Sequence, residues 1–386
     1  MSRVALLILC LVCLPLIFEY AKAQSLSSSW IRVGYESNDT SVCEINTTLF
    51  THLICGFGFW NPSSNEVYID EIYSQCFNFS SIIKDQNPSI KTFVSIKGFG
   101  EDLHWWVTNS SFRTSFVHSS MQLARHDAFW RFPETDSDME GMASIFQEWR
   151  DAARAEASDS NSTSDELILT AAVHYSPHSG NSSHPIESIR KNLNWIHVVA
   201  YDYTTLDSSN VTSAHSSLYN HSSRLNTDYA ITQWIDIGVP STMLVMGLAC
   251  HGFAWNLKDP HNNAIGSPST GPANINSIPL GMMPYKDIKT EIFGFFGGST
   301  SVGYNDTYVI NYYPHDFIWI AFDDVEAIKL RCLMPRQRSC VVTVCMKFPL
   351  MTIGSFPKQV RSLNSTHFSI QNPVLINIQG IYCDLQ

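Results

Sequence analysis

The chain has 386 residues, 44% of them hydrophobic and 12% aromatic, enough to bury a large core as one barrel with an insertion or as two ordinary domains. Its formal net charge is -11 and it has no basic run, which argues against nucleic acid as a partner. Beyond the N-terminus no stretch is long and apolar enough to predict a membrane span.

Residues 1–23 have the form of a signal peptide. Arg3 supplies the positive start, Val4 to Phe18 the apolar centre, and Ala21-Lys22-Ala23 a small-x-small cleavage site before Gln24. The expected location is therefore secreted and extracellular. Acceptors of the form Asn-x-Ser/Thr at Asn38, Asn46, Asn78, Asn109, Asn161, Asn181, Asn210, Asn220, Asn305 and Asn364 agree with a glycoprotein. Cys10 and Cys13 leave with the peptide; Cys43, Cys55, Cys76, Cys250, Cys332, Cys340, Cys345 and Cys383 remain. Disulfides are permitted in that compartment, with connectivity unreadable from sequence. Cys55 and Cys250 fall inside apolar strands and are expected as buried free thiols. No metal and no cofactor is expected.

Trp30 to Tyr35 reads as a first strand and Thr51 to Phe59 as a second, apolar on both faces as a parallel strand covered by helices should be. Lys91 to Gly98 is a third. Ser120 to Pro133 reads as a helix end running into a short fourth strand. Met139 to Ala157 carries Met142, Ile145, Phe146 and Trp149 at three- and four-residue spacing, which predicts an amphipathic helix. Leu167 to Val173, Trp195 to Asp202 and Met243 to Leu248 continue the strand pattern. Strands alternating with helices predict an α/β fold with a parallel sheet, closed as a (β/α)8 TIM barrel. From about 252 to 320, Pro, Gly and Asn cluster. Tyr308 to Tyr312 and Phe317 to Ile320 there read as antiparallel strands of a small α+β insertion. The main domain is expected over 24–331, followed by a Cys-, Pro- and Ser-spotted tail over 332–386.

Trp130-Arg131-Phe132-Pro133 has the shape of the Trp-Glu-Tyr-Pro that closes the catalytic strand of glycoside hydrolase family 18. Together with Asn46-Thr47-Thr48-Leu49-Phe50-Thr51-His52-Leu53, Ala200-Tyr201-Asp202, Asn256 to Pro260 and Phe322 to Ile328, it makes the chain resemble the plant class V chitinases from about Trp30 to Arg331. The resemblance implies a TIM barrel, the rim insertion, and binding of chitin or N-acetylglucosamine oligosaccharides by a monomer. In that family an Asp-x-x-Asp-x-Asp-x-Glu run alternates with period two into the barrel mouth. Its terminal Glu protonates the glycosidic oxygen, and the preceding Asp orients the substrate N-acetyl group that attacks the sugar carbon.

On that register Asp127 keeps one acidic position, Phe129 takes the next, and Arg131 stands in place of the acid. A guanidinium, with a pKa above about 12, has no proton to give near neutrality. The stretch between Arg125 and Trp130 is also several residues short of the family pattern. Glu134 is the nearest substitute acid, but lies beyond Pro133 on another register. The resemblance further implies that Tyr201 and Asp202 contact the carbonyl of the reacting N-acetyl group, and that Tyr35 and Phe57 line the sugar pocket. It makes Trp255 a stacking wall, with Trp60, Trp105 and Trp106 as further aromatic candidates. Lys97 stands where the family has Gly and would crowd the pocket floor. His251 replaces a common Tyr and reads as structural.

The barrel is expected to be damaged at strands 4 and 8, since nothing after Leu330 matches the family's last strand. Either Val341 to Met346 supplies that strand or the chain is a truncated, misread or decayed product; the second is the expectation. The expected function is a secreted chitinase-like protein that holds chitin oligomers without turnover. Two alternatives stay open: an active chitinase whose acid is recruited elsewhere, and a non-functional paralogue or misread gene.

Overall fold

The computed structural model describes residues 31–36, 42–97, 103–123, 126–129, 135–158, 166–179, 182–206, 209–275, 281–292, 302–337 and 341–346. The signal segment 1–23, Arg131, Glu134, Cys340, Cys383 and the acceptors Asn38, Asn161, Asn181 and Asn364 lie outside the described residues. In chain order the strands are β1 (Val33–Glu36), β2 (His52–Asn61), β3 (Glu66–Ile69), β4 (Lys91–Lys97), β5 (His126–Phe129), β6 (Thr170–His174), β7 (His178–Ser179), β8 (Ser182–Ser183), β9 (Trp195–Val199) and β10 (Leu244–Ala249). β11 (His251–Leu257), β12 (Ser269–Pro272), β13 (Met282–Pro284), β14 (Gly303–Asn305), β15 (Ile310–His315), β16 (Ile318–Phe322) and β17 (Val341–Met346) follow.

β1, β2, β4, β5, β6, β9, β10 and β17 pair in that order, all parallel, and β17 returns to β1. This closed ring corrects the expectation of damage at strands 4 and 8. Four residues of β5 suffice to bridge β4 and β6. At the other seam, Val341-Val342-Thr343-Val344-Cys345-Met346 is β-branched enough to favour extended backbone. It fills the gap between β10 and β1, where two unpaired edges would otherwise face solvent. Val33, Tyr35, Ile54, Phe93, Trp195, Tyr201, Val245 and Ala249 form an apolar cluster contributed by strands on several sides of the ring.

The helices cover the barrel. They are α1 (Phe79–Gln86), α2 (Leu103–Thr108), α3 (Ser110–Gln122), α4 (Asp136–Ser158), α5 (Ile186–Asn192), α6 (Thr227–Asp236), α7 (Tyr285–Thr290) and α8 (Val325–Gln337). α4 is the predicted amphipathic helix, and its start is set by a reciprocal cap. The Asp138 amide donates to Thr135 Oγ1 and the Thr135 amide to Asp138 Oδ2, each at 3.2 Å. Its Met142, Ile145, Phe146 and Trp149 are all buried. Gly141 lets α2 approach: a Cβ there would stand 2.6 Å from the Val107 carbonyl oxygen, inside backbone van der Waals contact. Buried Arg150 then ties α4 to its neighbours. It donates to the Asn192 carbonyl at 2.8 Å, Glu166 Oε1 at 2.7 Å and Asn194 Oδ1 at 2.7 Å.

After Cys250 the chain runs directly from β10 into β11 and a second, antiparallel sheet, ordered β12-β11-β16-β15-β14 with β13 also on β11. Its strands lie between His251 and Phe322. One face packs Ala254, Tyr313, Ile320 and Phe322. The other packs Phe253, Trp255, Ile310 and Trp319. The cysteine expectation is corrected: Cys55 is bonded to Cys76, whose Cα lies 5.7 Å away across the apolar contact beneath β2, within ordinary disulfide reach. Cys250 and Cys332 are also disulfide-bonded. No helix among the described residues is long and apolar enough to cross a membrane.

Candidate functional site

Parallel barrels carry their sites at the C-terminal ends of the strands. Tyr201 and Asp202 lie just past the end of β9, and His251 opens β11 two residues past the end of β10. Tyr201 is 2% exposed. Gly247 on β10 makes room for its ring: a Cβ there would come within 3.0 Å of Tyr201 Cε1. Burial pushes the Tyr201 phenol well above its ordinary range, with the Asp202 charge acting the same way.

Asp202 has φ +57°, a left-handed conformation that non-glycine residues adopt infrequently and that Asp tolerates better than most. The kink presents its carboxylate to two imidazoles. Asp202 Oδ1 lies 2.8 Å from His251 Nε2 and 3.1 Å from His215 Nδ1. Burial alone would raise the Asp202 pKa. The His251 charge and the contacts from both imidazoles outweigh it and hold the carboxyl well below the usual carboxylate range. Burial lowers His215 despite its carboxylate neighbour; burial is also the largest effect on His251, but the charge and hydrogen bond of Asp202 together with the charge of Asp323 outweigh it and leave that imidazole raised. Asp202 is thus a fixed anion and hydrogen-bond acceptor, not a proton donor.

Behind this group lies a fully buried ion pair, Asp323 Oδ1 and Arg331 Nη2 at 2.9 Å. The guanidinium also donates to the Val309 carbonyl at 2.9 Å. The aromatic rings of Phe253 and His215 sit 4.6 Å apart, and those of Phe253 and His251 5.6 Å apart.

The other predicted residues divide. Asp127 is in β5, paired with Ser95 of β4 and Thr170 of β6. Tyr35 and Phe57 are buried, at 8% and 5% exposure, Tyr35 in the cluster that includes Tyr201 and Phe57 against Ala172. Trp255 is 0% exposed between Phe253 and Trp319, so it offers no face to a sugar. That corrects its reading as a stacking wall: Trp255 packs with Phe253 and Trp319 on one face of the second sheet, and Leu206, Ala214 and Ile265 pack against that face. Trp60 and Trp106 pack on Phe112 of α3, while Trp105 is 57% exposed. Lys97 is exposed with its ammonium 5.9 Å over the Phe59 ring. The sequence reading missed His215, Asp323 and Arg331. Asp323 had a signal in the matched Phe322 to Ile328 run; His215 had none.

The model of the glycosyl hydrolases family 18 matches residues 31–337. The chain belongs to glycoside hydrolase family 18. A class V chitinase of Arabidopsis thaliana is 30% identical over 327 residues, spanning 81% of this chain and 84% of the relative. The solved structure of a point mutant of the class V chitinase from Nicotiana tobaccum, in complex with NAG4, superposes with a TM-score of 0.77. It is 30% identical and covers 82% of this chain and 93% of its own. A chitinase-like agglutinin from Robinia pseudoacacia is 32% identical with a TM-score of 0.73, over 82% of this chain and 94% of its own. This family 18 barrel thus resembles proteins named as hydrolases and one named as an agglutinin.

Proposed function

We propose that this family 18 protein is secreted as a monomeric glycoprotein and binds chitin or N-acetylglucosamine oligosaccharides without hydrolysing them. The observation that carries the reading is Arg131, four residues after Asp127, where the family's strand ends in its acid. Phe129 removes the carboxylate that would orient the N-acetyl group. Losing a general acid alone typically removes about 10²–10⁴-fold of rate, and here both members of a cooperating pair are replaced. Asp202 cannot substitute, because two imidazoles hold it ionised. The likeness to a chitinase-like agglutinin supports a binding role, and the oligosaccharide complexes of its structural relatives support the ligand class.

The test uses the purified chain with N-acetylglucosamine tetramer. Binding measured calorimetrically, with no release of reducing ends, is the expected result. The names of the chitinase relatives favour a second reading, an active enzyme with a relocated acid. Release of reducing ends that is lost on Glu134→Gln would establish that reading and overturn the first. Folded protein that neither binds nor turns over the tetramer would indicate a non-functional paralogue. Expression into the medium with a mature N-terminus at Gln24 tests the secreted reading.

A further inference from the structure

We propose that Asp202, His215 and His251 form a binding site for one late first-row divalent cation of the zinc class. The inference goes beyond glycan binding and does not depend on it. One donor atom from each residue lies within 4.8 Å of the other two. The two distances to Asp202 Oδ1, 2.8 Å and 3.1 Å, are shorter than the roughly 3.3–3.5 Å that separates ligands bound tetrahedrally at about 2.0–2.2 Å from zinc. On those two edges a few tenths of an ångström of side-chain opening suffices, and the two imidazole donors lie within 4.8 Å of each other. Two imidazoles and one carboxylate suit zinc or cobalt, and they supply too few oxygens for calcium or magnesium.

The surroundings supply independent support. His215 is 0% exposed, and with Nδ1 turned to Asp202 its Nε2 has no hydrogen-bond partner. Coordination at Nδ1 places the ring proton on Nε2, and a ligating histidine is ordinarily held there by a second carboxylate. Asp323, buried, paired through Oδ1 with Arg331 and with Oδ2 accepting no hydrogen bond, is the acid whose charge acts on both imidazoles. Asp202 and Asp323 carry two negative charges, and the Arg331 guanidinium offsets one of them. The remaining negative charge attracts a cation, and a bound dication leaves the group with one net positive charge.

The ligands are also held in place before any ion arrives. The Tyr203 amide donates to the His215 carbonyl at 2.9 Å, joining that loop to the turn that carries Asp202. His251 is fixed by pairing with Pro284 across the second sheet. Access comes from the Asp202 side, whose side chain is 28% exposed against 0% for His215. A fourth coordination position on that side would take water or a ligand oxygen.

The test is titration of the chelator-treated full chain with zinc by calorimetry and with cobalt by visible absorption. Wild type is expected to take up one ion per chain, with the cobalt bands of a nitrogen- and oxygen-ligated site. Because fully buried His215 is a poor place to substitute, the variants are His251→Asn and Asp202→Asn, each checked for a cooperative melt. Each should weaken uptake by at least about 100-fold, the upper end of what loss of a mere supporting group does. Absence of saturable uptake, or uptake unchanged in both folded variants, overturns the proposal and leaves the three residues as a hydrogen-bonded cluster.

Discussion

Asp323 and Arg331 are 0% and 2% exposed, so their contact at 2.9 Å is shielded from water on every side. Such a pair adds little net stability over an apolar pair of the same shape, but breaking it strands a charge in low dielectric. Arg331→Met should therefore destabilise the fold by about 3–5 kcal/mol, read from urea denaturation. Adding Asp323→Leu should recover most of that loss; a single variant within about 1 kcal/mol of wild type would show that water reaches the pair. The pair illustrates what could be read in advance. Asp202 was identifiable because a Tyr-Asp at a strand end is a local motif. Its partners were not, because His215 and His251 lie 13 and 49 residues further along and meet it only when loop and second sheet fold over the mouth. Trp255 failed for a related reason. Alternation along β11 separates its two faces, but only the packing of distant residues such as Leu206 on one and Ile288 on the other decides that both are covered.

Among the elements, α4 was legible because its own sequence fixes its start, stripe and length. β17 was legible only as composition: a short run with Val341, Val342, Thr343 and Val344, whose value depends on the gap left elsewhere. Both neighbours confirm that it acts as a central strand, Val344 pairing with Val33 of β1 and with Gly247 of β10. A proline there would remove a ladder amide from the seam that closes the barrel. Val344→Pro should destabilise the protein by about 3 kcal/mol or more and reopen two edges that pair between molecules. The check is a lowered melting temperature together with light-scattering growth on warming. A variant that melts like wild type and scatters no more light on warming would remove β17 from the closed ring. Gly141→Ala probes α4 in the same way, since its new Cβ meets backbone of α2; a loss of about 1–3 kcal/mol is expected in the same urea experiment.

For the whole molecule, acid stability is governed by imidazoles that fold neutral. His52, His174 and His184 are each lowered from 6.5 to about 4, in every case first by burial. The charges of His197, Lys91 and Arg32 add to the effect on His52, and those of His174 and His178 to that on His184. Above pH 6.5 these rings are neutral both folded and unfolded, and they contribute no pH dependence. Between 6.5 and about 4 the unfolded chain takes up protons that the folded one refuses, so stability falls as pH falls. At full effect each group withdraws about 1.4 kcal/mol per pH unit. Depressed carboxyls follow a lower window: Asp138 and Asp324, below the ordinary 3.8, stabilise above that value and lose their contribution only as pH drops through their folded pKa. The histidine window can therefore be read alone. Neither His184 nitrogen has a hydrogen-bond partner, and its ring packs 5.1 Å from Trp234, so His184→Phe keeps the contact and removes the titration. Urea midpoints of wild type should decline steadily from pH 6.5 towards 4, and the variant's should decline less by one imidazole's share. Equal slopes in the two proteins would mean that His184 accepts its proton without unfolding, and that the interior of this barrel is wetter than its packing indicates.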